Sequence, residues 1–265
     1  MTGRDAIAVH DTGDGPALLM LHAFPLDGSQ WDHQVAALSG DHRCLRPDVW
    51  GCGASGPPPE GAATIEDVAT ALVQVLNERG VQRVTLVGLS MGGYIAFALY
   101  RLIAERIDAM VLCNTRATAD ADDTRRDRHA SADRALREND VSFLIESNVQ
   151  RLLAETARRE VHITDPLRGR ILRWTPHGVA FALRAMASRP DSTSLLSSIA
   201  CPVLVIAGSQ DAVIPAAHVD QLVSGIPRCE RVTMNCGHLS NLEQPAEFNE
   251  HLQAFLRRSA GRTAA

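Results

Sequence analysis

Val84-Thr-Leu-Val-Gly-Leu-Ser-Met-Gly-Gly-Tyr94 governs how the rest of this 265-residue chain is read. An apolar, β-branched run from Val84 to Val87 enters Gly88-Leu89-Ser90-Met91-Gly92, a G-x-S-x-G pattern, and leaves through a helix-like run from Tyr94 to Arg101. A serine at the centre of that pattern, between a strand and a helix, sits on a tight turn that strains its backbone and lifts its Oγ above the sheet. Gly88 and Gly92 lie where any side chain would collide across the turn. The helix that begins there aims backbone N–H groups and its positive dipole end at the same point. Alone, the five residues are equally compatible with an ordinary Gly-Ser turn.

Three further segments favour the catalytic alternative. Asp211 lies in Val203-Leu-Val-Ile-Ala-Gly-Ser-Gln-Asp211, where an apolar strand ends in a turn carrying a carboxylate. His238 lies in Asn235-Cys-Gly-His-Leu-Ser240, after a strand-like run from Glu230 to Met234 and before a helical run from Pro245 to Leu256. A turn aspartate or a loop histidine is commonplace by itself. The chain order Ser90, Asp211, His238 is the order expected of a serine hydrolase on an α/β sheet. The fourth segment, Leu18-Leu-Met-Leu-His22-Ala-Phe-Pro25, runs from an apolar strand into a turn. It supplies the N–H of Phe24, which with the N–H of Met91 gives the two donors that a tetrahedral oxyanion needs.

With these motifs the chain resembles the α/β-hydrolase superfamily, in its branch of small carboxylesterases, enol-lactonases and cofactor-free haloperoxidase or perhydrolase relatives. The resemblance extends from about Ile7 to Leu256 and includes Asp48-Val-Trp-Gly-Cys-Gly-Ala-Ser55, which matches that family's D-x-x-G-x-G-x-S loop. It implies that Asp48 and Ser55 tie down a turn beside the site. The chain departs from the family where His-Gly is usual and His22-Ala23 stands instead. Alanine narrows the backbone conformations open to the oxyanion loop.

Strand-like runs at Ala17–Leu21, Cys44–Pro47, Val84–Val87, Ala109–Cys113, Val203–Ala207 and Glu230–Met234 alternate with helical patterns. The clearest helix is Ile65–Arg79, with Thr64 placed to cap it and Gly80 to stop it. Continuous apolar strands predict a mostly parallel sheet covered on both faces, the α/β-hydrolase architecture. Between residues 116 and 191 strand-like runs vanish and apolar residues recur at helical spacing, as at Val141, Leu144, Ile145, Val149, Leu152 and Leu153. This segment is expected to be a helical cap inserted between the sixth and seventh strands of a core made of residues 1–115 and 192–265. It is richer in arginine than in acids, whereas the whole chain carries −5. Those arginines form either a solvated helix face or, in part, a cleft wall that favours acidic substrates. Phe143, Trp174 and Phe181 are candidate substrate contacts, and equally candidates for the cap's own core.

All basic residues are arginine, with no basic tract to suggest nucleic acid. The six cysteines have no C-x-x-C or metal spacing and read as buried thiols. Without an apolar leader core or a membrane-length apolar run, a soluble cytoplasmic protein is expected. His22 reads as a structural hydrogen-bonding residue, Trp31 as packing at a helix start, and Asp108 and Asp123 as weak rivals to Asp211 because neither ends a strand. The expected activity is hydrolysis of a small carboxylic ester or lactone through an acyl-enzyme at Ser90, with no metal or organic cofactor. Perhydrolysis on the same triad and a small-molecule receptor on a hydrolase fold are the alternatives. Dehalogenation would require a carboxylate at position 90.

Overall fold

Seven strands form one sheet in the computed structural model, which describes residues 7–263, so the start of the chain read above for a leader lies partly outside them. They are β1 (Val9–Thr12), β2 (Ala17–Leu21), β3 (Arg43–Pro47), β4 (Val84–Leu89), β5 (Ile107–Cys113), β6 (Val203–Gly208) and β7 (Cys229–Met234). Their spatial order is β1-β3-β2-β4-β5-β6-β7. Every neighbouring pair is parallel except β1 with β3, where Val9 faces Pro47 and Thr12 faces Cys44.

Every residue of β4 is buried. Because side chains alternate faces along a strand, a strand buried throughout must be covered on both sides. The helices are α1 (Asp32–Leu38), α2 (Ile65–Glu78), α3 (Met91–Ile103), α4 (Asp122–Glu138), α5 (Leu144–Leu152), α6 (Val161–Ile171), α7 (Pro176–Ser188), α8 (Ala216–Gly225), α9 (Ser240–Glu243) and α10 (Pro245–Thr263). α2 packs on α3, which lies against β2, β4 and β5, while α1 packs on α10 and α8 on β6 and β7. The start of α2 follows directly from its sequence. Thr64 Oγ1 accepts from Asp67 N, and Asp67 Oδ2 accepts from Thr64 N, a reciprocal capping box worth roughly 1 kcal/mol. Gly80 follows with φ +68°, the left-handed stop expected after such a helix.

Two features differ from the sequence expectation. The strand β1 was not expected, because Val-His-Asp-Thr is polar and mostly exposed; as an edge strand it needs only one partner and one sheltered face. The helical insertion falls between the fifth and sixth strands rather than the sixth and seventh. The seven-strand sheet has only β6 and β7 beyond β5, so the chain leaves the sheet at the end of β5 and returns at Val203 to pair with that same strand. Between them the described residues contain the helices α4 to α7 and short 3₁₀ turns, with no strand. All six cysteines are free, and burial pushes the thiols of Cys44, Cys201 and Cys229 up to about 11, which leaves them protonated and inert.

Candidate active site

Ser90 is held between the last residue of β4 and the first of α3 with φ 55° and ψ −111°, far from any regular region for a residue with a side chain. Such a conformation costs about 1–3 kcal/mol and persists only where the surroundings over-determine it. They do so here. Ser90 N donates to Cys113 O at 2.9 Å, Ser90 O accepts from Gly93 N at 2.9 Å and from Thr115 Oγ1 at 2.8 Å. The two motif glycines allow the close approach. A Cβ on Gly88 would stand 2.4 Å from Gly92 O, and one on Gly92 would stand 2.1 Å from Leu21 O.

Asp211 follows β6 and His238 follows β7, on neighbouring parallel strands that deliver both loops to the same end of the sheet as Ser90. His238 Nδ1 donates to Asp211 Oδ2 at 2.9 Å, with both side chains almost fully buried. The other carboxylate oxygen, Oδ1, accepts from Val213 N at 2.7 Å and Ile214 N at 3.0 Å. Asn114, at the end of β5, donates from Nδ2 to Asp211 Oδ2 at 3.0 Å. Burial pushes the Asp211 carboxyl up, but the His238 charge and these donors outweigh it and hold the pKa below the usual carboxylate range. With Nδ1 engaged, Nε2 is the basic nitrogen, and among the described residues it has no hydrogen-bond partner. It faces the cleft that Ser90 lines.

The loop carrying His238 is fastened to the helical insertion. His238 N donates to Leu152 O at 2.9 Å, and the Glu243 carboxylate accepts from Ala154 N, Gly237 N and Leu239 N. Burial raises the Glu243 pKa in spite of those donors. Asp108 forms an ion pair with Arg83, and Asp123 lies exposed on α4 beside Arg126; neither meets His238.

The loop after β2 is built from backbone and side-chain bonds rather than from glycine. Ala23 is not among the non-glycine residues with positive φ, and its N–H donates to Gln30 Oε1 at 2.8 Å. His22 is fully buried, accepts from Val49 N at Nε2 (3.0 Å) and donates from Nδ1 to Ala23 O (2.9 Å). Desolvation keeps its pKa below the ordinary histidine value, so it is a neutral structural bridge. Asp48 accepts from Gly28 N and Ala54 N, and Ser55 Oγ donates to Asp48 O while accepting from Ala8 N. Trp31 is buried against Phe248 at the start of α1. Among the described residues, no acceptor bonds the backbone N–H of Phe24 or of Met91. Both are buried beside Ser90, with Phe24 lining the cleft.

The cleft holds about 190 Å³. Beside Ser90, His238 and Phe24, its wall includes Tyr94, Leu152, Met186 and Ile214 together with Arg116, Arg128 and Arg151. The aromatic residues singled out in the sequence lie elsewhere. Phe143 packs against the core under the Arg134 guanidinium, 4.2 Å from its ring centre. Phe181 stacks edge-on against Trp50 and opens onto a different surface hollow. Trp174 donates to Leu26 O at 2.9 Å and packs edge-on against Phe24, so it buttresses the loop without lining the cleft. Trp174 and Phe181 join the insertion to the rest of the chain and Phe143 packs within it, which aromatic identity alone does not reveal. Asn114 went unnoticed in the sequence, although a polar residue ending an apolar strand is the same pattern that marked Asp211.

Residues 16–245 match the family model described as alpha/beta hydrolase fold. The chain belongs to the α/β-hydrolase family. A thermophilic esterase from Thermogutta terrifontis, solved with malate bound, superposes on this hydrolase with a TM-score of 0.92 at 37% identity, covering 96% of this chain and 93% of that one. The 3-oxoadipate enol-lactonase 2 of Acinetobacter baylyi is 27% identical over 97% of this chain and 96% of its own. The pimeloyl-[acyl-carrier protein] methyl ester esterase of Nitrosomonas europaea is 27% identical over 92% and 96%. Among the described residues, this hydrolase has no helix long and apolar enough to cross a membrane, and no cluster of three or more His, Cys, Asp or Glu arranged for a metal ion.

Proposed function

We propose that this α/β hydrolase is a serine hydrolase acting on a small carboxylic ester or lactone through an acyl-enzyme. The observation that carries the reading is the state of His238. Asp211 fixes its Nδ1–H, and its unbonded Nε2 faces the cleft into which the strained Ser90 projects. In this reading Nε2 takes the proton of Ser90 Oγ as Oγ attacks the ester carbonyl, then returns it to the departing alkoxide oxygen. Asp211 stays ionised and stabilises the imidazolium. The N–H groups of Phe24 and Met91 receive the oxyanion, each contributing about 3 kcal/mol to the barrier reduction. Water then enters with His238 as base and releases the acid. A single-turnover burst of alcohol ahead of acid is the kinetic mark of this sequence.

Residues 116–191 act in this proposal as the cap that closes the cleft, since Arg128, Arg151, Leu152 and Met186 all reach it from that segment. The esterase and enol-lactonase names of the relatives support the ester class. Labelling with a fluorophosphonate is the direct test. The adduct is expected on Ser90, and Ser90→Ala should abolish both the label and turnover of a panel of aryl esters and lactones while leaving the thermal transition in place. An adduct on another serine, with turnover retained in Ser90→Ala, would reject the assignment.

A further inference from the structure

We infer that the cleft over Ser90 selects substrates bearing a free carboxylate a short distance from the ester or lactone carbonyl, received by Arg116, Arg128 and Arg151; the inference rests on the ester-hydrolase reading of this site. The three arginines come from the segment after β5, from α4 and from α5, and converge on the wall that also holds Ser90 and His238. Among the described residues, no acidic side chain lines that wall with them.

The charge is not balanced behind the wall either. Asp120, its side chain fully buried, pairs with Arg116, with Arg128 Nε at 2.6 Å and with Arg189 Nη2 at 2.9 Å. Among the described residues Arg151 has no carboxylate partner, and its Nη2 donates only to Asn148 Oδ1 at 3.2 Å. Three guanidiniums therefore share one carboxylate, and the fourth, Arg151, has none. Arginine does not lose its proton in proteins, so the excess persists at every working pH. Arg151 keeps an exposed surface while protein surrounds it, as a side chain in a hollow does. That surrounding desolvation, followed by repulsion from Arg128, holds its pKa below the usual arginine range.

The outer side of the same insertion follows a different rule. Arg125 pairs with Asp122, Arg126 with Asp123, and Arg134 with Glu138, which Arg137 also reaches. Arg189 is likewise committed to structure: its guanidinium lies 3.9 Å over the Tyr94 ring and donates to Met186 O and Thr118 O. The cleft wall thus carries three guanidiniums and, among the described residues, no acidic side chain beside them. Arg116 Nε is moreover buried without a hydrogen-bond partner. A concave, cationic wall of low dielectric focuses its field on an entering anion, and the planar guanidinium fork fits a carboxylate through two parallel hydrogen bonds. With about 190 Å³ of room, below the roughly 300–1,000 Å³ of drug-sized sites, ester and carboxylate must belong to one small molecule.

The test compares length-matched pairs: monomethyl succinate with methyl butanoate, and monomethyl glutarate with methyl pentanoate, alongside methyl succinamate as the uncharged polar counterpart. The wild type should favour each monoacid at least tenfold in kcat/KM, with a preference that shrinks as salt is added, and should treat the succinamate like the plain ester. Arg151→Gln should lower that ratio about tenfold, chiefly through KM, and Arg151→Lys should lower it less. Succinate should bind Ser90→Ala in calorimetry and bind at least tenfold more weakly when Arg151→Gln is added. Good turnover of the neutral esters with a ratio at or below one would overturn the carboxylate preference and leave ester hydrolysis standing. Absence of turnover for every ester would count against the hydrolase reading, and the succinate titration would still decide the anion site. Inorganic phosphate binding as tightly as succinate would overturn the assignment to carboxylates.

Discussion

Asn114 donates its side-chain N–H to Asp211 Oδ2, the same oxygen that accepts His238 Nδ1. Asn114 has a positive φ of 45°, which places its amide between two loops: Nδ2 also reaches Gly237 O at 3.3 Å, and Oδ1 accepts from Ser240 Oγ at 2.7 Å. One asparagine thus couples the end of β5 to the loop of the aspartate and to the loop of the histidine. A hydrogen bond to a charged group contributes about 1.5–3 kcal/mol. Asn114→Ala should therefore lower kcat roughly 10- to 100-fold with little change in KM, while fluorophosphonate still labels Ser90 slowly. A proportional loss in KM instead would mean that Asn114 supports the substrate wall rather than the acid–base pair.

The parts of this site that were legible in the sequence are those fixed by local geometry. The elbow needs glycine at 88 and 92 because of backbone contacts near 2 Å, and those glycines stand in the chain to be read. Asp211 follows an apolar strand and His238 a strand-like run, and parallel strands send such loops to one end of the sheet. The capping box at Thr64 and Asp67 is equally local. β1 was hidden because an edge strand needs no apolar run, and its four residues contain only Val9 as a large apolar side chain. The direction in which Arg116, Arg128 and Arg151 point depends on how α4 and α5 pack after the chain leaves β5, and no short-range pattern encodes that. For the same reason Phe143, Trp174 and Phe181 were as readable as packing residues as they were as substrate contacts.

Asp120 gives a pH prediction. Burial opposes its ionisation, but the Arg189 hydrogen bond and the charges of Arg128 and Arg189 hold its pKa at about 2. An unfolded aspartate titrates near 3.9. A carboxylate depressed in the folded state contributes stability that is fully present above the unfolded value and is lost as pH falls through the folded one. The wild type should thus lose about 2 kcal/mol from this group between roughly pH 4 and pH 2. Asp120→Asn, which leaves three guanidiniums facing one another, should cost about 3–5 kcal/mol at pH 7, and the gap from wild type should narrow below pH 4. Urea unfolding at pH 7, 4 and 3 measures it; a gap that stays constant across that range would show that the Asp120 charge is not what holds the arginines.

Asp211→Asn tests the acid–base pair with almost no change in volume. One oxygen of Asp211 is already claimed by the N–H groups of Val213 and Ile214. The asparagine carbonyl should take that position, which turns its NH₂ toward His238 Nδ1 and Asn114 Nδ2, both donors in the native arrangement. His238 can then relieve the clash only by moving its proton to Nε2, which leaves no lone pair facing Ser90. The expected loss is roughly 10⁴-fold in kcat, the scale seen when a triad aspartate becomes asparagine. His238→Ala should be at least as severe. Adding Asp211→Asn to it should cost little more, because the two residues act as one unit and their effects do not add. Imidazole nitrogen shifts in Asp211→Asn should report the proton on Nε2, whereas the wild type should carry it on Nδ1. Wild-type turnover in Asp211→Asn with the proton still on Nδ1 would mean that a second carboxylate supports the histidine.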